Sequence, residues 1–65
     1  MATTKTHPAD YGSPAAIRRY KNARRALLDN QEHEIAAGIT RETATYRRLN
    51  RAVSDAAKNV PAWRQ

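Results

Sequence analysis

The fold is decided by a short stretch in the middle of the chain, IAAGITRET at residues 35–43. Gly38 suits the left-handed conformation that commonly ends a helix, and Ile39 can then contact the last helical turn. Thr40 is predicted to be the N-cap of a second helix, with Glu42 in its first turn, where the helix dipole favours a carboxylate. Because so short a linker joins only antiparallel neighbours, the stretch predicts a two-helix hairpin.

The outer boundaries of both helices are also marked in the sequence. Ser13 and Pro14 form a typical helix start, with serine as the N-cap and proline at the first helical position, so the first helix is predicted over about 14–37. Pro61 disfavours helical geometry at the residue before it, which limits the second helix to about 41–59.

Both predicted helices have an apolar stripe at helical spacing, and no segment alternates with a period of two, so we predict an all-α fold. Folding the chain about Ile39 places Trp63 against 15–17, where small side chains leave room for an indole. If the second helix instead stops at Asn59, residues 60–64 become an exposed linear motif with aromatic and arginine anchors. The second stripe has heptad spacing and consists of Tyr46, Leu49, Val53, Ala56, Val60 and Trp63.

The chain divides into a polar start and a helical remainder. Residues 1–12 are predicted to be a disordered or loosely docked tail, and residues 13–65 the helical hairpin. A chain of 65 residues has room for one domain without a deep catalytic pocket. Its few branched aliphatic side chains predict a marginal core. We therefore expect homodimerisation into a four-helix bundle, or completion of the fold by a partner.

Positive charge is the strongest compositional signal. Twelve Lys and Arg against six Asp and Glu give a formal net charge of +6. Clustered arginines favour binding to phosphates or to an acidic partner, although a solvated face in an Arg-rich composition is the alternative interpretation. The basic stretch at residues 18–25 is expected to face only Asp55 among the acids, whereas Asp29, Glu32 and Glu34 are expected to approach Arg47 and Arg48. The candidate nucleic-acid or acidic-partner residues are Arg18, Arg19, Lys21 and Arg25, with a second basic face of Arg47, Arg48 and Arg51.

Residues 38–43 resemble the turn and early recognition helix of the helix-turn-helix family, with a glycine, an apolar residue and then polar positions before Ala44. The chain departs from the family pattern at Glu34, where a small residue is usual, and at Arg47, where an apolar residue is usual. The resemblance implies that bases would be read by Arg41, Thr43 and Thr45.

Two polar residues interrupt the apolar stripe of the first helix. Arg24 and Gln31 could fix the register and oligomeric state of an interface, or Arg24 could lay its stem along the seam with its guanidinium in water. The alternative function is thus a protein–protein interaction module or inhibitor, docking on a larger partner through the hairpin seam or the Trp63 tail. The residues expected there are Tyr20, Arg24, Leu27, Gln31, Tyr46 and Trp63.

Several classes of site are not expected. The absence of Cys excludes disulfides, thiolate zinc sites and Cys nucleophiles. Glu32, His33 and Glu34 point to different sides of a helix and do not converge on a metal. With no phosphate-binding loop, carboxylate pair or activated nucleophile, we expect a non-enzymatic protein without cofactor, metal or small-molecule substrate. No signal segment or membrane-length apolar run is visible, so we expect no membrane association and a cytoplasmic location.

Overall fold

The computed structural model describes residues 10–65. Helix α1 comprises Pro14–Ala36 and helix α2 comprises Ala44–Ala57, and a single 3₁₀ turn follows at Ala62–Arg64. The two helices pack against each other, and no strand occurs in the described part of the chain. The predicted all-α helical hairpin is confirmed. Its dimerisation stays a prediction, and residues 1–9 of the predicted tail lie outside the described residues.

Helix α1 begins where the sequence predicts. The Ser13 backbone is extended, and its hydroxyl accepts a hydrogen bond of 3.0 Å from the Ala16 backbone N–H. Pro14 occupies the first helical position, where its missing N–H costs no hydrogen bond.

The C-terminal end of α1 also agrees with the prediction to within one residue. Gly38 has φ +77°, and its N–H donates to the Ile35 carbonyl at 3.0 Å. The Ile39 N–H donates to the Glu34 carbonyl at 2.9 Å. These two bonds define a Schellman motif, which satisfies carbonyls that have no partner within the helix.

The start of α2 differs from the prediction. Thr40 is not the N-cap, and Glu42 lies before the helix rather than in its first turn. Thr43 is the N-cap, and its hydroxyl accepts from the Tyr46 N–H at 2.9 Å while donating to Glu34 Oε2 at 2.6 Å. Either threonine could cap a helix, but only Thr43 also reaches a carboxylate on α1. That long-range bond is not encoded in local spacing, and it lengthens the linker to residues 37–43.

The predicted tail is shorter than expected at its C-terminal end. The Gly12 N–H donates to the Asn59 carbonyl at 2.7 Å. The Asp10 carboxylate accepts from the Ser13 hydroxyl at 3.0 Å, from the Asn59 amide at 3.3 Å, and from the Arg19 guanidinium. Residues 10–12 therefore belong to the folded part of the chain, held by hydrogen bonds and charge. We call this set of contacts around Asp10 the terminal clasp.

The chain beyond α2 leaves the helical path earlier than predicted. Helix α2 ends at Ala57, two residues before the expected boundary, and the next N–H groups bond three residues back, Asn59 to the Ala56 carbonyl and Val60 to the Ala57 carbonyl. Val60 is 2% exposed, whereas Trp63 is 80% exposed. The prediction that Trp63 packs in the seam is wrong, and the exposed-motif alternative describes it better. Val60 takes the buried position instead.

The buried core of the described chain is small. It consists of Ala16, Tyr20 and Val60, all near the end of the molecule that the clasp closes. Farther along α1, Leu28 is 51% exposed and Ile35 is 75% exposed. Apolar burial is thus concentrated at one end of the hairpin, while the linker end is held mainly by hydrogen bonds.

Replacing Thr43 with alanine should test the observed start of α2. Thr43→Ala removes both the cap and the bond to Glu34, so we expect a loss of about 1–2 kcal/mol in the free energy of unfolding, measured by urea denaturation. Thr40→Ala, at an exposed linker position, is the matched control and should change stability by less than about 0.5 kcal/mol. A larger loss for Thr40→Ala than for Thr43→Ala would contradict the observed cap.

Candidate nucleic-acid interface

Three cations of α1 form an uncompensated stripe. Arg18, Lys21 and Arg25 follow the spacing i, i+3, i+7, which places them on one side of the helix over about 10 Å. All three are exposed, and none forms a salt bridge within residues 10–65. We call these residues the α1 basic stripe. Its guanidinium and ammonium groups are available for phosphate oxygens.

Arg19 has a different role from its neighbours. Its guanidinium forms an ion pair with Asp10 in the terminal clasp. Asp55, the acid that the sequence analysis expected near this region, instead pairs with Lys58 at 3.4 Å. The acid that pairs with a cation of this region is Asp10, which the sequence places in the predicted tail. Arg19 is exposed, but Asp10 partly neutralises its charge.

The second basic face is exposed but less uniform. Arg47, Arg48 and Arg51 all lie on the surface of α2. Arg47 pairs with Glu42 at 3.6 Å, not with the acids of residues 29–34 as expected. The linker is longer than predicted and brings Glu42 close to the first turn of α2, which explains the exchange of partners.

Glu34 is engaged inside the fold. Its carboxylate accepts from the Asn30 side-chain amide at 3.0 Å and from the Thr43 hydroxyl. The expectation that Glu34 neutralises Arg47 or Arg48 is therefore wrong. This acid serves the connection between the helices.

The residues expected at a partner interface are distributed over different environments. Tyr20 is buried in the core of the single chain, and the Arg24 guanidinium carbon lies 5.8 Å from the centre of its ring, a cation–π contact. This placement agrees with the interpretation in which the Arg24 head group reaches water. The remaining members are half-buried, namely Leu27, Gln31 and Tyr46, or exposed, namely Trp63.

Residues from both ends of the described chain line one surface groove. The groove has a volume of about 670 Å³ and lies beside the first turns of α1. Its apolar lining comes from Tyr11, Pro14, Ile17, Pro61 and Trp63. Tyr11 and Trp63 lie far apart in sequence, and the contacts of Asp10 and Gly12 with Asn59 bring them to one groove.

The same groove carries positive charge and no acid. Arg18 and Lys21 of the α1 basic stripe line it together with Arg64. The Arg64 guanidinium carbon lies 5.4 Å from the centre of the Trp63 ring. The groove therefore combines an exposed indole with three cations, which come from two segments far apart in sequence.

The likeness to a helix-turn-helix does not extend to the structure. The linker 37–43 is longer than the turn of about three or four residues in that motif. Arg41 lies in the linker rather than on a helix, and the Thr43 hydroxyl is committed to Tyr46 and Glu34. Of the three implied base-reading residues, Thr45 is the one on α2. The geometry does not form a recognition helix of the expected kind.

The described residues form neither a metal-binding cluster nor a membrane span. No three His, Asp or Glu side chains in this range are grouped as metal ligands would be. Neither helix in it is long and apolar enough to cross a membrane.

Comparison with protein-family models, curated proteins and solved structures finds no match for this chain.

The terminal clasp should be measurable as stability. Asp10→Ala removes an acceptor shared by Ser13, Arg19 and Asn59, so we expect a loss of roughly 1–2 kcal/mol, seen as a lower Tm in thermal denaturation followed by circular dichroism.

Asp29→Ala is the matched control, because it removes the same charge from an exposed position of α1. We expect its Tm to stay unchanged or to rise slightly, since alanine is the better helix former. Equal Tm values for the two variants would show that the clasp contributes nothing to stability.

Proposed function

We propose that this chain is a small, basic, non-enzymatic binding protein that associates with nucleic acid through the α1 basic stripe. The observation that carries the proposal is the exposure of Arg18, Lys21 and Arg25 on one helix face, without an acidic partner in residues 10–65. A net charge of +6 supports it, because phosphate contacts release counterions and draw a basic protein to nucleic acid.

The spacing of the stripe distinguishes it from an ordinary solvated surface. Like charges three or four residues apart on a helix destabilise it by about 0.2–0.5 kcal/mol per pair. Arg18 with Lys21, and Lys21 with Arg25, are two such pairs, and none of these three cations forms a salt bridge with a described acid. A bound phosphate attracts these cations and screens the repulsion between them. The stripe therefore favours the complex over the free chain.

The second basic face contributes a weaker contact in this proposal. Arg48 and Arg51 are exposed on α2, while Arg47 shares its charge with Glu42. The charge of Arg19 is similarly shared with Asp10. We therefore assign the principal phosphate contacts to α1 and an accessory role to α2.

A second candidate function is a protein-interaction module, favoured by the exposed apolar residues of α1. Leu28 and Ile35 are separated by two helical turns on one side of α1. With a buried core of three residues in the described chain, a second copy that covers this side would complete a four-helix bundle. This function does not compete with the basic stripe for the same side chains.

The proposed nucleic-acid contact predicts a specific salt dependence. Lys21→Ala with Arg25→Ala should weaken binding to a labelled oligonucleotide regardless of its sequence. The slope of log K against log salt should fall by about 1.4–1.8, because two phosphate contacts are lost. Fluorescence anisotropy at several salt concentrations measures both quantities.

The matched control removes two cations that already have acidic partners. Arg47→Ala with Lys58→Ala changes the net charge equally and should alter the slope by less than half as much. Equal slopes for the two double variants would show that net charge, not the stripe, governs binding. Affinity of the unmodified chain that is independent of salt would contradict the proposal itself.

Self-association through the exposed apolar side of α1 predicts the mass of a dimer in solution. The chain should behave as a dimer in light scattering at micromolar concentration, and Leu28→Glu with Ile35→Glu should convert it into a monomer with an unchanged helical spectrum. Ala26→Glu, at an exposed position on the opposite side of α1, is the control and should leave the dimer intact. A monomeric mass for the unmodified chain would overturn the dimer.

A further inference from the structure

The exposed indole of Trp63 sits on an anchored backbone. The 3₁₀ turn that carries it follows the buried Val60. The Gln65 side-chain amide donates to the Val60 carbonyl at 2.9 Å and to the Ala57 carbonyl at 3.3 Å, tying the end of the turn to the end of α2. A large aromatic residue that is 80% exposed on a fixed turn is a preorganised contact surface, unlike a residue in a free tail.

The residues beside Trp63 give the groove a flat, apolar character. Tyr11 and Pro14 come from the start of the described chain, and Pro61 comes from the turn before the indole. Aromatic and proline side chains present rigid surfaces that lose little conformational entropy on binding. The shape and stiffness of this wall suit a planar group better than a flexible side chain.

The charge of the groove selects the kind of planar group. Arg18, Lys21 and Arg64 line it, and none of its lining residues is acidic. Arg64 covers one part of the indole at 5.4 Å, and the exposed fraction of Trp63 shows that most of the ring surface stays open to solvent. The complementary ligand is one that combines a flat ring with negative charge a few ångströms away.

From this combination we infer that the groove binds an unpaired base of single-stranded nucleic acid. The base stacks on the Trp63 indole, and the adjoining phosphates contact Arg18 and Lys21. Base faces are covered by their neighbours in a duplex and become accessible only when a strand is unpaired. The inference rests on the proposed function, because it uses the same stripe, and it adds a preference for single strands over duplexes.

The fluorescence of the chain provides a direct test, because Trp63 is its single tryptophan. The full chain is titrated with a mixed-sequence single strand and, separately, with the duplex formed by that strand and its complement. We expect the single strand to quench Trp63 strongly and to bind at least tenfold more tightly than the duplex, with little quenching by the duplex. Equal quenching and equal affinity for both would overturn the stacking site while leaving the proposed function in place.

Substitution of Trp63 separates stacking from charge. With a labelled strand followed by anisotropy, Trp63→Leu should lose about tenfold in affinity for the single strand and less than twofold for the duplex. Trp63→Phe keeps a ring and should recover most of the loss. Thr40→Ala, at an exposed linker position that does not line the groove, is the control and should change neither affinity. A Trp63→Leu variant that retains its helical spectrum and full single-strand affinity would overturn the inference.

Two further ligands complete the test. A nucleoside monophosphate carries the same ring with one phosphate, and we expect it to quench Trp63 only at far higher concentration than the strand. A polyglutamate peptide should not quench it. Quenching by either ligand at the concentration that suffices for the strand would overturn the inference in favour of a nucleotide pocket or an acidic-peptide site. Failure of both strand and duplex to bind would overturn the inference and the proposed function together.

Discussion

One carboxylate holds the two ends of the described chain together. Asp10 accepts hydrogen bonds from Ser13 beside the start of α1, from Arg19 one turn into that helix, and from Asn59 beyond α2. The neighbouring bond from the Gly12 N–H to the Asn59 carbonyl fixes the same junction through the backbone. With these contacts in place, Val60 lies in the core and the chain turns away from the helical path before Pro61. The burial of the core and the position of the groove both depend on this junction.

The opposite end of the hairpin is held by a second long-range bond with little apolar burial around it. The Thr43 hydroxyl caps α2 and donates to Glu34 on α1, so one side chain both begins a helix and sets its distance from the neighbouring one. Ile35 remains 75% exposed nearby. Hydrogen bonds specify geometry but add only about 1 kcal/mol each to stability. This end is therefore well defined in register yet open to a partner that would cover its apolar side chains.

The sequence predicts the features that depend on neighbouring residues, and it misses those that depend on distant ones. Both ends of helix α1 could be predicted, because Ser13, Pro14 and Gly38 determine them through contacts with residues only a few positions away. The start of α2 could not, because Thr40 and Thr43 are both good caps and the choice depends on Glu34. The same reason explains the groove. Its basic side was visible in the α1 periodicity, but its aromatic side required knowledge that Asp10 reaches Asn59.

The clasp also divides the cations at the start of α1 into two groups. Arg19 is turned to Asp10, which already accepts two further hydrogen bonds, so that carboxylate has little remaining capacity to attract other cations. Arg18 and Lys21 line the groove instead. Without Arg19, an unpaired carboxylate close to the groove would compete with phosphate for those two residues. The pairing that closes the fold thus also leaves the groove positive, as the proposed phosphate contacts of Arg18 and Lys21 require.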